Sequence, residues 1–354
     1  MRSPRTLATW CAAFALGSCG GGGGSVAPPV AVVTPAPAPT PAPTSTPTPT
    51  PTPSLTSVER DVLPALTDPA LSLALSAHFT VKPGAAITPA GKLFVMLPGT
   101  GAIPRFYREI VRTGATRGYH GIGLTYPNDV TVGDRCVASA DPDCAGKVRR
   151  EVVTGEDAST LIAISRAESI AGRLTSLLGY LDRTYPGEGW GQFVVGGQPD
   201  WSKIVVAGHS QGGGHAGFMA KLFALERSVM FSAPGDTGPA PGSNAAWYAL
   251  PNVTPVARQF GFTHTGDELI PFGFVLLNWR GIGIDQFGAT VSVDGAAPPF
   301  GGSHQLSTSL PANPAAVGLV FAPLHSTPVV DTVTPLTPTG VPVFRPVWIH
   351  LAFP

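Results

Sequence analysis

Short apolar runs alternate with helically spaced stretches along most of this chain. Lys92–Leu97 (KLFVML) is a compact apolar run after a turn, which predicts a buried strand. Ile103–Gly118 has helical spacing, with Pro104 in its first turn and Gly118 past its end. His120–Thr125 predicts the next strand, ending at Tyr126-Pro127-Asn128, and a loop containing Cys136 and Cys144 follows. Over Asp157–Tyr185 the residues Leu161, Ile164, Ala167, Ile170, Leu174, Leu177, Leu178 and Leu181 lie on one stripe, predicting a long amphipathic helix. Strands are predicted at Lys203–Ala207, Ser228–Ser232, Gln259–Thr263 and Ala289–Val293, with helices at Gly212–Leu225 and Leu269–Trp279. Such alternation gives a mostly parallel sheet covered by helices on both faces, an α/β fold.

The N-terminal end reads differently. Arg2 and Arg5 precede an apolar stretch, Leu7–Leu16, and then Leu16-Gly17-Ser18-Cys19. This is the layout of a secretory signal. It resembles a bacterial lipobox, which implies removal of residues 1–18 and lipid attachment at Cys19. Gly20 after that cysteine implies export to the outer membrane. Residues 19–53 run from Gly20–Gly24 into alternating Pro, Ala and Thr, with no charge and no core-forming pattern. They predict an extended tether of roughly 3.1 Å per residue. No other window offers about 18 consecutive apolar residues, so no other membrane span is expected. The folded domain is expected over residues 54–354.

Composition narrows the function. Lys+Arg and Asp+Glu are 22 each, and removing Arg2 and Arg5 leaves 20 basic residues against 22 acidic ones. A nucleic-acid partner, which requires a cationic footprint, is not expected. Of four cysteines, Cys11 leaves with the signal and Cys19 is the lipid site. Cys136 and Cys144 flank a short polar loop and, in an exported protein, predict a disulfide. A metal site there lacks two further ligands.

Chemistry concentrates at Gly208-His209-Ser210-Gln211-Gly212, a G-x-S-x-G motif between a β-branched strand and a Gly- and Ala-rich helix. The motif places Ser210 on a strained strand-to-helix turn, with a helix N-terminus behind it to favour developing negative charge. With the Pro98-Gly99-Thr100-Gly101 loop, it resembles secreted bacterial serine hydrolases of the α/β-hydrolase superfamily. The resemblance spans essentially residues 54–354. It implies an eight-stranded, mostly parallel sheet, a Ser–acid–His triad in that chain order, and no cofactor or metal.

Acyl transfer needs two backbone N–H donors where the carbonyl oxygen becomes negative. Gln211, directly after the nucleophile, is one. The loop after Leu97 supplies the other, with Thr100 preferred and Gly101 second. Gly266-Asp267-Glu268-Leu269-Ile270-Pro271 resembles the superfamily's acid segment and makes Asp267 the preferred acid, Glu268 pointing away. Asp236, after the preceding strand, is the rival. For the base, His325 sits in a loop before the C-terminal segment, and His304 is the alternative, unless a strand at Gln305–Leu310 buries it. The other histidines read as packing residues.

The expected activity is an exported serine hydrolase acting on a small-molecule or polymeric carboxylic ester through an acyl-enzyme. An acyltransferase on the same triad and a non-catalytic tethered binding protein are the alternatives. The roughly 20 residues from Thr237 to Val256 are short for a cap domain. They predict a shallow or open site, bordered by Trp247 and Tyr248 unless those are ordinary half-buried aromatics.

Overall fold

The computed structural model describes residues 56–354, apart from 241, 317 and 319. The expected signal, Cys19 and the tether lie outside the described residues. The strands are β1 (Val58–Val62), β2 (His78–Lys82), β3 (Leu93–Leu97), β4 (His120–Gly123), β5 (Val194–Val195), β6 (Gln198–Pro199), β7 (Ile204–His209), β8 (Arg227–Phe231), β9 (Gln259–His264), β10 (Val291–Ser292) and β11 (Gln305–Thr308). Nine of them form one sheet in the order β1-β2-β4-β3-β7-β8-β9-β11-β10. β2 pairs antiparallel with both β1 and β4, and every other neighbouring pair is parallel. β5 and β6 form a separate antiparallel ribbon.

The helices are α1 (Pro64–Thr67), α2 (Arg108–Thr116), α3 (Val132–Cys136), α4 (Cys144–Thr154), α5 (Ile170–Thr184), α6 (Gln211–Leu222), α7 (Phe272–Ile282), α8 (Pro323–Ser326) and α9 (Arg345–Ala352). Both faces of the sheet are covered, because its central strands are apolar on both sides. In β3, Leu93, Val95 and Leu97 enter one core cluster, while Phe94 and Met96 enter the other. In β7, Ile204 and Val206 separate from Val205 and Ala207 in the same way. α4, α5 and α6 close the first face through Val148, Leu174, Leu177 and Phe218. α2 and α9 close the second through Ile110, Val111, Trp348 and Leu351. The four leucines of α5, including Leu178 and Leu181, are fully buried, each contributing about 1.5–3 kcal/mol. No helix among the described residues is long and apolar enough to cross a membrane.

This is an α/β fold with a large, mostly parallel sheet flanked by helices. Among the described residues its main sheet has nine strands rather than eight, and β10 at the edge is only two residues long.

Several elements differ from the sequence expectation. The helix expected from Asp157 starts only at Ile170, where the Ser169 side chain accepts from Gly172 N at 3.1 Å. Upstream, the Glu151 carboxylate takes the N–H groups of Ser159 and Ile164 at 2.9 and 2.8 Å. Ser159 Oγ takes that of Leu161. Side-chain acceptors of this kind compete with helical hydrogen bonding, so an apolar stripe is insufficient there. The loop expected around the cysteines instead contains α3 and α4, and α4 ends at Gly155 with φ 74°. Cys136 and Cys144 are joined by a disulfide, which staples the end of α3 to the start of α4.

Candidate active site

Ser210 occupies the junction between β7 and α6, with φ 53° and ψ −119°. A positive φ is costly for serine, on the order of 1–3 kcal/mol, and persists only where surroundings enforce it. The Ser210 amide donates to Phe231 O of β8 at 2.9 Å, and its carbonyl accepts from Gly214 N at 3.0 Å. Gly212 is required by close approach: a Cβ there would lie 2.2 Å from Leu97 O. The first turn of α6 therefore presses directly onto the end of β3, and Ser210 is held above both.

The loop after β3 is fixed from several directions. Asn128 Nδ2 donates to Gly99 O and Ala102 O at 2.6 and 2.9 Å, and Gly101 N donates to Asn128 O at 2.9 Å. Tyr126 Oη donates to Pro98 O at 2.7 Å. Thr100 Oγ1 donates to Gln211 Oε1 at 3.2 Å, so the two expected oxyanion residues are neighbours. Gln211 is the first residue of α6, where a backbone N–H has no partner within the helix. Among the described residues the Thr100 amide also has no protein acceptor.

Asp267 follows β9 and is buried against His325. His325 Nδ1 lies 2.9 and 2.8 Å from the two carboxylate oxygens, and Asp267 Oδ1 also accepts from Leu269 N and Ile270 N at 2.9 Å each. Burial pushes this carboxyl upward. The hydrogen bond and charge of His325, with the Ile270 and Leu269 amides, outweigh it and hold the carboxyl below its usual range. An acceptor at Nδ1 sets the tautomer with its proton there, leaving Nε2 as a base. His325 Nε2 is buried and has no hydrogen-bond partner among the described residues. It makes no hydrogen bond to Ser210 Oγ.

His325 lies in the single turn α8 rather than in an irregular loop. Glu268, expected to point away, has a different role: its oxygens accept from Leu324 N and His325 N at 2.9 and 2.7 Å. Adjacent carboxylates thus hold the imidazole and its backbone separately.

The alternative residues are committed elsewhere. Asp236 forms a buried ion pair with Arg149, whose Nη2 lies 2.6 Å from Oδ1, and it also accepts from Trp247 Nε1 at 2.7 Å. His304 stacks between Phe260 and Phe287, at centroid distances of 4.1 and 3.9 Å, with Nδ1 on Gln259 O at 2.9 Å. Arg149 Nη1 also donates to Gln211 O, so this pair braces α6, the helix that follows Ser210. Asp236→Ala would leave that guanidinium buried and unpaired, a loss of about 3–5 kcal/mol. Urea denaturation should show a markedly lower midpoint, and an unchanged midpoint would remove the pair from this account.

Ser210, Thr100, His209 and His325 line one cavity of about 580 Å³. Its walls come from 99–107 and 320–332, joined where Asp331 accepts from Arg108 N and Glu109 N at 2.8 and 3.1 Å. The expected border of Trp247 and Tyr248 is corrected here: both rings are fully buried around Asp236 and neither reaches the cavity. Among the described residues no cap fold lies between β8 and β9, and the cavity walls come from the other two loops.

Tyr107, Asn128, Glu268 and Arg149 are the site-supporting residues that sequence reasoning missed. The Asp267-Glu268 doublet and the Tyr126-Pro127-Asn128 strand end were the only local signals.

No protein-family model matches the chain, and no curated protein sequence matches it. Among solved structures it is similar to a novel thermophilic esterase, Est2, from the Planctomycetes species Thermogutta terrifontis. The two are 15% identical, with 71% of this chain and 80% of that chain covered and a TM-score of 0.36. A likeness that distant does not bear on the chemistry of the site.

Proposed function

We propose that this chain is a serine hydrolase of carboxylic esters, exported and lipid-anchored through Cys19. The observation that carries the reading is the buried Asp267–His325 pair, with His325 and Ser210 lining one cavity and His325 Nε2 without a hydrogen-bond partner among the described residues. Ser210 attacks the ester carbonyl while His325 Nε2 takes its proton. The Thr100 and Gln211 amides receive the negative charge on the carbonyl oxygen, aided by the N-terminus of α6. Asp267 keeps the Nδ1 proton in place and stabilises the imidazolium. His325 then protonates the leaving alkoxide, and water repeats the sequence on the acyl-enzyme.

The cavity suggests an uncharged substrate. Among the described residues no Asp, Glu, Lys or Arg lines it, whereas Ala102, Phe106, Leu269, Phe321, Ala322 and Val330 do. A charged group entering such walls would lose hydration without a partner. The test is a series of p-nitrophenyl esters of increasing acyl length. kcat/KM should rise roughly fourfold per methylene until the cavity is filled, from about 0.8 kcal/mol per buried CH₂. A carboxylate-terminated acyl chain of matched length should react far more slowly. No hydrolysis of any member would overturn the ester reading. Equal rates for neutral and carboxylate-terminated chains would overturn the substrate class alone.

A further inference from the structure

The elbow residue before Ser210 takes part in a continuous hydrogen-bonded chain. Gly99 N lies 3.1 Å from Tyr107 Oη, Tyr107 Oη lies 3.0 Å from His209 Nδ1, and His209 Nε2 lies 3.1 Å from His325 O. Tyr107 and His209 are buried, and so is Gly99.

The direction of each bond follows from what the atoms can do. The His325 carbonyl only accepts, so His209 Nε2 carries a proton. The Gly99 amide only donates, so Tyr107 Oη accepts it, and the hydroxyl proton remains free for His209 Nδ1. That assignment needs a neutral imidazole. Burial, reinforced by the neighbouring His325, brings His209 down to about 3, which favours that neutral form. The chain therefore runs Gly99 N–H to Tyr107 O–H to His209 Nδ1, and His209 Nε2–H to the His325 carbonyl. Every polar atom of the two side chains is used, which is how a buried network fixes one arrangement.

Its ends matter because of where they lie. Gly99 precedes Thr100, whose amide is the second oxyanion donor in the reading above. His325 is the base. The loop approaches the elbow so closely that a Cβ on Gly99 would be 2.9 Å from His209 Nδ1 and 3.2 Å from Ser210 Cβ. The His209 and His325 rings are 4.9 Å apart. We propose that Tyr107 and His209 are positioning residues, a bridge that sets the oxyanion loop and the base at a fixed separation around Ser210. The proposal rests on the serine-hydrolase reading and adds to it that the two halves of the site are registered against each other by this chain. Neither residue exchanges a proton with substrate.

The test is Tyr107→Phe, which keeps the ring and removes only the hydroxyl. A bridge of this kind acts in the transition state, so kcat should fall between about tenfold and a hundredfold while KM stays within about a factor of two. Affinity for a trifluoromethyl ketone, whose adduct presents an oxyanion, should fall by the same factor as kcat. His209→Gln should give the same pattern and carries the test if Tyr107→Phe does not fold. The double variant should lose little beyond the worse single one, because both act through one chain. A folded Tyr107→Phe with wild-type kcat, or with a raised KM and unchanged kcat, would overturn the bridge. Fluorophosphonate labelling of the wild-type preparation separates the two failures. Without labelling at Ser210 the hydrolase reading fails, and with labelling but unaltered variants only the bridge does.

Discussion

Ser210→Ala should lower kcat on a p-nitrophenyl ester by about a millionfold while leaving the fold intact. Alanine preserves the backbone contacts of the elbow, which run through Ser210 N and O rather than its hydroxyl. Only the attacking oxygen is lost. His325→Ala should be nearly as damaging, because the proton of Ser210 then has no acceptor. The double variant should be no worse than the more impaired single variant, since in the proposed mechanism the two side chains act as one unit. Multiplying losses would mean that the two side chains serve separate steps.

Asp267→Asn should cost about ten-thousandfold in kcat with little change in KM. The reason lies in the two amides that hold Oδ1. Leu269 N–H and Ile270 N–H both point at that oxygen, so an asparagine would keep its carbonyl there. Its NH₂ would then take the place of Oδ2, the nearer of the two oxygens at 2.8 Å from His325 Nδ1, against 2.9 Å for Oδ1. An amide donating to Nδ1 moves the ring proton to Nε2, and the imidazole can no longer take the proton of Ser210. Glu268→Ala should be much milder, because it removes acceptors for backbone N–H groups but leaves the tautomer unchanged. Steady-state kinetics with the three proteins side by side would check this ranking. A fully active Asp267→Asn would contradict the role of the pair.

How much of this was legible in the sequence depended on distance along the chain. The elbow is local: strand, Gly208-His209-Ser210-Gln211-Gly212 and helix follow one another, so motif and context are read together. The Cys136–Cys144 bridge spans eight residues and is local too. The central strands were legible because β3 and β7 are apolar on both faces. β1 and β2 were not. Val58-Glu59-Arg60-Asp61-Val62 carries three charges in five residues, and only pairing with β2 at the sheet edge makes it a strand. α5 was overextended because periodicity records apolar spacing and not the Glu151 carboxylate that takes the preceding N–H groups.

Within the site, the choice between His325 and His304 needed tertiary information. Both follow plausible loops, and nothing near His304 in sequence reveals the stacking of Phe260 and Phe287 on it. The same holds for Asp236, whose partner Arg149 is 87 residues away. Tyr107 and Asn128 could not be singled out either, since an isolated tyrosine after an apolar strand usually signals packing. The cavity walls were not legible either, because they come from 99–107 and 320–332, segments more than 200 residues apart that only the fold brings together.

The most direct test of the central claim is active-site labelling with a fluorophosphonate, followed by mass spectrometry of the tryptic peptides. The account predicts one adduct per chain, located on Ser210, which fails to form in Ser210→Ala and forms far more slowly in His325→Ala. Rapid labelling at another residue, or a wild-type protein that hydrolyses esters yet is never labelled at Ser210, would contradict it.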